Sequence, residues 1–288
     1  MTVSAGRPSA AGVRLRDGLP GADEGGPFEH PAYLRASAEH EGTETVLLEA
    51  GDGRLALLAG AGTLHTVYGY PQPLGVTADV ADALVAIDLP LRVALSPLGV
   101  GAELAEALRG RLPLADERAI CVTDLDSDPQ DAFDPAARSM VRRALREGSR
   151  AEIGAVQPAF GRLYRHAMDA MGAADLYRFS DAYVAGLAQT GAFQVTVSDA
   201  DGVAAAALFL TRGREATYHL SARRDEPRPV PGAANLVLLE GLRECARRGA
   251  EACILGGGRS GDPKDALLRF KSGMSTRTLT RPTFSTGG

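Results

Sequence analysis

Lysine is almost missing from this chain. Of its 31 basic residues, only Lys264 and Lys271 are lysines, and arginine supplies the rest. Both follow a glycine triplet, Gly256-Gly257-Gly258, and lie in one short amphipathic stretch. A lysine offers a compact ammonium with three rotatable donors, whereas an arginine offers a rigid fork. In an arginine-biased chain the pair is either a chance survival or a place where a point charge is needed. The setting behind the glycines lifts the segment above chance.

Other absences exclude whole classes. No apolar run approaches the roughly 20 residues of a membrane-spanning helix. Residues 1–26 are rich in Gly, Ala, Pro and charge and have no apolar stretch of the signal-peptide kind, so 1–27 reads as a disordered lead-in and the protein as cytoplasmic. The three cysteines, Cys121, Cys245 and Cys253, are odd in number and show no metal-ligand spacing. They read as buried thiols, and no metal or cofactor is expected. No nucleophile stands in a nucleophile–base motif, so no covalent intermediate is indicated.

What remains is a chain of 288 residues, 45% apolar and 23% charged, enough for a real core in one or two domains. Its net charge of −5 hides a division. Residues 1–137 carry 9 Arg against 21 acidic residues, and residues 138–288 carry 22 basic residues against 15 acidic ones. A basic second half is either a surface for an anionic partner or one side of an internal attraction.

The pattern along the chain alternates strand and helix. Segments 45–49 and 54–58 flank Gly51-Asp52-Gly53 as a hairpin. A proline-stiffened aromatic loop follows at 66–74. Helices are expected over 79–89 and 101–108, with strands at 91–95 and 119–124. A boundary is expected near 126–129, dividing a first lobe, 28–128, from a second, 129–288. Asp134-Pro135 opens a helix ending at Gly148, with Arg138, Arg142 and Arg146 on one face. That stripe is a solvated face or a phosphate-facing one. The helix 158–171 carries core apolar residues, and another runs from the Ser180 cap to Gly191. Strands at 193–198, 203–211 and 215–221 precede a long helix, 233–248. A strand at 253–255, a helix at 264–271 and a strand at 276–280 complete the chain.

Three antiparallel strands, a helix, a strand, a helix and a strand resemble the order of a GNAT-type acyltransferase core. The fold class expected is therefore α/β (α+β): two tandem GNAT-like lobes with mixed sheets flanked by helices. Such cores grip the pyrophosphate of coenzyme A with amides at the start of the long helix, usually at Q/R-x-x-G-x-G/A. Here Arg228-Pro229-Val230-Pro231-Gly232-Ala233-Ala234 misses that signature by one position, and its prolines remove two donors.

Several stretches carry a closer resemblance. They are the basic helix 137–148, Ala174-Asp175-Leu176-Tyr177-Arg178-Phe179-Ser180, Tyr218-His219-Leu220-Ser221, Asn235-Leu236-Val237-Leu238-Leu239-Glu240, Leu255-Gly256-Gly257-Gly258 and Leu268-Arg269-Phe270-Lys271-Ser272-Gly273. In the acidic half Tyr68-Gly69-Tyr70-Pro71-Gln72-Pro73-Leu74 joins them. Together they resemble the Fem-type peptidoglycan-bridge aminoacyltransferases, over about 33–280 and most strongly in the second half. The resemblance implies transfer of an amino acid from aminoacyl-tRNA to an amine. It implies a reacting end at Phe270 and Lys271 and donor-binding positions at Arg269, Gly256, Gly257, Gly258, Arg138, Arg142, Arg146 and Asn235. Acceptor-binding positions would be Tyr68, Tyr70, Tyr218 and Ser221. The acceptor is a cell-wall precursor or a small amine. An acyl-CoA-dependent N-acyltransferase and a non-catalytic binding protein are the alternatives.

An aminoacyl ester is already activated, so attack by an amine needs placement and charge stabilisation. Lys271 suits the developing oxyanion. Phe270 is a stacking platform or plain core, the glycines allow close approach or a turn, and His219 reads as a satisfied strand histidine rather than a base.

Overall fold

Caps and turns written into the chain start most of its elements. The computed structural model describes residues 13–287, which divide into two units, 13–118 with 280–287 and 119–279. In the first unit β1 (Val13–Asp17) and α1 (Pro31–Glu41) precede an antiparallel meander of β2 (Glu44–Ala50), β3 (Gly53–Gly60) and β4 (Thr63–His65). Then come α2 (Thr77–Ala86), β5 (Leu91–Ala94), α3 (Gly99–Leu108) and β6 (Leu114–Asp124). β5 runs parallel to β4.

The second unit repeats this series. After α4 (Pro129–Ala132), α5 (Pro135–Arg146), β7 (Arg150–Ala155), α6 (Pro158–Ala170), a 3-10 turn at Asp175–Tyr177 and α7 (Asp181–Ala188), a meander of β8 (Phe193–Asp199), β9 (Gly202–Arg212) and β10 (Glu215–Arg223) appears. It leads into α8 (Ala233–Arg247), β11 (Ala252–Gly256), α9 (Ala266–Ser272) and β12 (Arg277–Thr286), with β11 parallel to β10. Both units thus hold a mixed sheet flanked by helices, as expected.

The last strand of each series pairs in the other unit. Residues 121–124 of β6 pair with β11, and residues 283–286 of β12 pair with β5. The first unit's strand order is β1-β2-β3-β4-β5-β12, and the second's is β6-β11-β10-β9-β8-β7. The division accordingly falls inside β6, at 118/119, instead of in the polar stretch 126–129, because strand pairing and not linker composition decides where contacts change.

In the first unit α2 and α3 lie on one face, closing over Leu48, Leu57, Leu84, Val93, Leu104 and Phe284. In the second, α5 and α8 cover a core that includes Val141, Phe209, Leu238, Leu242 and Leu255. An aromatic row, Phe160–Tyr164–Phe179–Tyr183, links α6 to α7 with centroid spacings of 5.9, 6.0 and 3.9 Å. Central strand β9 is buried continuously over 204–210, as a strand covered on both faces must be.

Several expectations are corrected. Of the lead-in, residues 1–12 lie outside the described residues, but Val13–Asp17 is a strand paired with β2. Val13 and Leu15 there alternate with Arg14 and Arg16, a period of two that is too short to stand out. α1, β4 and β7 were not anticipated, and β7 is an edge strand whose only large apolar residue is Ile153. Lys264 precedes the last helix, which begins at Ala266. β12 extends to Thr286, past the expected end at 280.

Candidate functional site

The site is built where β10, β11 and α9 converge in the second unit. Two irregularities in the strands shape it. Along β10 Tyr218 pairs with Phe209, but Leu220 pairs with Leu208 and Ser221 with Ala207, so His219 is an extra, bulged residue. The bulge reverses the normal alternation. Tyr218 and Ser221 now oppose residues two apart on β9, which puts both side chains on one face. Burial pushes the Tyr218 phenol up to about 12, against a smaller lowering influence of the Ser221 hydroxyl. His219 turns to the aromatic row, 3.4 Å from the Tyr183 hydroxyl, and burial pushes it down to about 3. A histidine so depressed is neutral, as the strand-histidine reading required.

β11 has its own slip. Ile254 pairs with Val122 and Gly256 with Cys121, leaving Leu255 extra. Gly256 has φ +89°, a conformation costly for any residue with a Cβ. A Cβ on Gly257 would stand 2.7 Å from the Ala119 carbonyl oxygen, so that position is closed to side chains as well. The positive φ at Gly256 matches the turn reading, and the close approach at Gly257 is to the protein's own backbone.

Into this turn reaches Lys271. Its Nζ donates to the Gly257 carbonyl at 3.0 Å and lies 5.9 Å from the centre of the Tyr218 ring. Burial pulls the amine down to about 8, against the opposing pull of Cys121 and Asp265. The residue is half-buried, and burial is the largest influence on its amine. The Cys121 thiol is pushed up by burial, more than Ser275, the Lys271 ammonium and Thr278 lower it. An ammonium beside a carbonyl, a π face and a neutral thiol has no carboxylate bound to it, so it can receive developing negative charge.

The other expected residues divide. Phe270 is half-buried and packs against the core of the second unit, which favours its core reading. Arg269 is exposed. Asn235, in the first turn of α8, contacts the Met274 sulfur at 3.4 Å rather than the amine of Lys271. Gly258 lies against Asp265, whose carboxyl carbon would be 2.8 Å from an added Cβ. Arg138, Arg142 and Arg146 are on the face of α5 opposite Ala137, Val141 and Ala144, which are buried. Arg142 and Arg146 are exposed, and Arg138 touches the Asp131 carbonyl at 3.5 Å. α5 starts where α9 ends, since the Asp134 N–H donates to the Gly273 carbonyl at 2.8 Å. Tyr68 and Tyr70 belong to the first unit. There the Tyr33 hydroxyl donates to the Tyr68 carbonyl at 2.6 Å, and the Arg281 guanidinium lies 4.8 Å from the Tyr70 ring centre.

Sequence reading missed two neighbours of Lys271. Asp265 caps α9, accepting from Leu267 N at 2.8 Å and Leu268 N at 3.0 Å. An aspartate just ahead of Ala-Leu-Leu is a cap signal that could have found it. Cys121 is distant in sequence, and nothing local marks it.

The loop 224–232 offers few free donors to a coenzyme A pyrophosphate. Pro229 and Pro231 have no N–H. The Val230 N–H is engaged by Asp199 Oδ2 at 3.2 Å, and the Ala233 N–H by the Val230 carbonyl at 3.2 Å. Gly232 is pressed on α5, where a Cβ would stand 2.0 Å from the Met140 carbonyl oxygen. Of the donors in this loop and first helical residue, two are thus missing and two are engaged. Among the described residues no cluster of His, Cys, Asp and Glu could hold a metal, and no helix is long and apolar enough to cross a membrane.

No protein-family model matches the chain, and no curated protein matches it. Solved structures do. FemX aligns with a TM-score of 0.64 at 13% identity, over 91% of this chain and 93% of that one. The C-terminal domain of a putative lysylphosphatidylglycerol synthetase from Agrobacterium fabrum aligns at 0.59 and 14%, over 89% and 88%. The L-PGS structure from Bacillus licheniformis aligns at 0.58 and 14%, over 91% and 93%. At such identities the likeness is one of fold, and it extends over nearly the whole of each chain.

Proposed function

We infer that this protein is an aminoacyltransferase, taking an amino acid from aminoacyl-tRNA and joining it to the amine of a small molecule or cell-wall precursor. The observation that carries this reading is the part-buried Lys271 ammonium, held at the Gly257 carbonyl beside the Tyr218 ring, in a fold like that of FemX. The acceptor amine attacks the ester carbonyl, and negative charge grows on its oxygen. Lys271, with two N–H donors besides the one given to Gly257, stabilises that charge. The intermediate collapses by breaking the bond to the ribose oxygen. That oxygen leaves with a proton, the amine loses one, and an amide remains. No protein nucleophile is needed.

The basic stripe of α5 supports a nucleic-acid donor. It leads away from the end of α9, and Arg146 lies about 12 Å along the helix from Arg138. Tyr218 and Ser221, on one face of β10, are the acceptor-binding residues of the second unit in this reading, and Tyr68 and Tyr70 remain those that the resemblance implies in the first. The acyl-CoA reading loses ground because four positions around the start of α8 offer no free amide, Pro229 and Pro231 having none and Val230 and Ala233 having theirs engaged. The test is incubation of the purified protein with mixed aminoacyl-tRNAs, or with acetyl-CoA, each with a panel of amines. Amide products are expected from the tRNA arm alone. Acetylation in the second arm with none in the first would overturn the reading.

A further inference from the structure

One carboxylate near Lys271 makes more bonds than capping needs. Asp265 Oδ1 holds the first turn of α9 through Leu267 and Leu268. Its Oδ2 accepts from the Arg259 N–H at 3.1 Å, the Ser260 N–H at 3.3 Å and the Ser260 hydroxyl at 3.4 Å. The first oxygen fixes the helix that carries Lys271. The second fixes the loop that leaves the glycine triplet, and Lys271 is bonded to that triplet at Gly257. Gly258 leaves room for the carboxylate, since any Cβ there would meet it. Helix and loop are thus joined at two points, by Asp265 at one end and by Lys271 at the other.

We propose that Asp265 is a positioning residue for Lys271: its second oxygen ties the loop after the glycine triplet to the start of α9 and so holds the Gly257 carbonyl at the amine. This rests on the aminoacyltransferase reading for its purpose, though not for its geometry. Asp265 touches neither donor nor acceptor and acts only through the lysine. The Ser260 hydroxyl oxygen also accepts from the Asp262 N–H at 3.3 Å, which extends the same turn. Burial is the largest influence on the Lys271 amine, and the Asp265 charge is a lesser one of opposite sign. Releasing the loop therefore raises the titration midpoint of Lys271, because regained water outweighs the lost carboxylate.

The scarcity of lysine makes this measurable. In a Lys264→Arg parent protein, Lys271 is the sole lysine, so its side-chain NMR signal can be titrated without ambiguity. Asp265→Asn keeps an oxygen for the helix cap but replaces the loop acceptor with a donor. Asp265→Ser caps the helix and cannot reach the loop, and it serves as a second variant if the first fails to fold. In both, the midpoint is expected to rise from about 8 by at least about half a pH unit. Hydrogen exchange at Arg259 and Ser260 is expected to quicken while Leu267 and Leu268 stay protected. With an active donor, kcat falls by roughly 10²-fold and KM for the donor holds. A midpoint that does not rise overturns the proposal, whatever the rates do. A midpoint that rises in a protein transferring from no donor leaves the clamp standing and removes the aminoacyltransferase reading.

Discussion

Lys271 is useful because its surroundings disagree with its charge. The folded protein lowers the amine to about 8, from an ordinary value of 10.5. If the ammonium stabilises an oxyanion, the transfer rate falls as pH rises through about 8; a rate that climbed instead would make Lys271 a base. Lys271→Met is expected to slow transfer by about 10²–10³-fold, the scale of one transition-state donor. Lys271→Arg restores part of the rate, since its donors point in a fork. Lys264→Met leaves the rate near that of the parent, because Lys264 is exposed and outside α9. The same depression fixes the sign of a stability effect. Between about pH 8 and 10.5 the unfolded chain binds the proton that the folded one has released. Stability from this group therefore rises with pH across that window, and the parent's melting temperature is expected to rise there relative to that of Lys271→Met.

Two elements set up the site, and each has its own test. The stripe on α5 predicts that Arg138, Arg142 and Arg146 changed together to Glu weaken aminoacyl-tRNA binding and flatten its salt dependence. Circular dichroism should stay unchanged, since the buried face of α5 is Ala137, Val141 and Ala144. Binding as tight as the parent's would remove α5 from the donor surface. The loop into α8 depends on a nearly buried pair. Arg224 Nη2 meets Asp199 at 2.9 and 3.1 Å, and side-chain exposure is 12% and 3%. Burial pushes the Asp199 carboxyl up, but the Val230 and Asp201 amides and Arg224 outweigh it and hold it below the usual carboxylate value. As pH falls the unfolded chain takes the proton first, so this stabilisation is full above about pH 4 and drains away below it. Asp199→Asn is expected to cost about 1–3 kcal/mol at neutral pH in urea denaturation and to lose that acid dependence.

At the scale of the molecule the exchange of last strands is the dominant feature. Phe284 follows 166 positions after Arg118 in the chain yet is 2% exposed in the core of the first unit. Phe284→Ala is expected to cost that unit about 3–5 kcal/mol, as a large-to-small change in a closed core does. Hydrogen exchange should report it in β5 and α3, not in β9. A loss confined to β11 and β10 would show that β12 serves the other unit.

The sequence by itself determined the parts of this protein that are local. Caps such as Asp134 and Ser180, the hairpin at Gly51-Asp52-Gly53 and the repeated order of strands and helices are all decided within a few residues, where backbone sterics and orphan amides act. The triplet and Lys271 were legible for the same reason: glycine and lysine are unusual choices wherever they stand. Tertiary structure alone decided what depends on register and burial. It set the bulge at His219, which brings Tyr218 and Ser221 onto one face, and the pairing of Cys121 with Gly256. It also made the neutral His219, the inward Phe270 and the crossing of β6 and β12 between units. These follow from which strand lies beside which, and that choice is made by the free energy of the whole core, to which no short window of sequence has access.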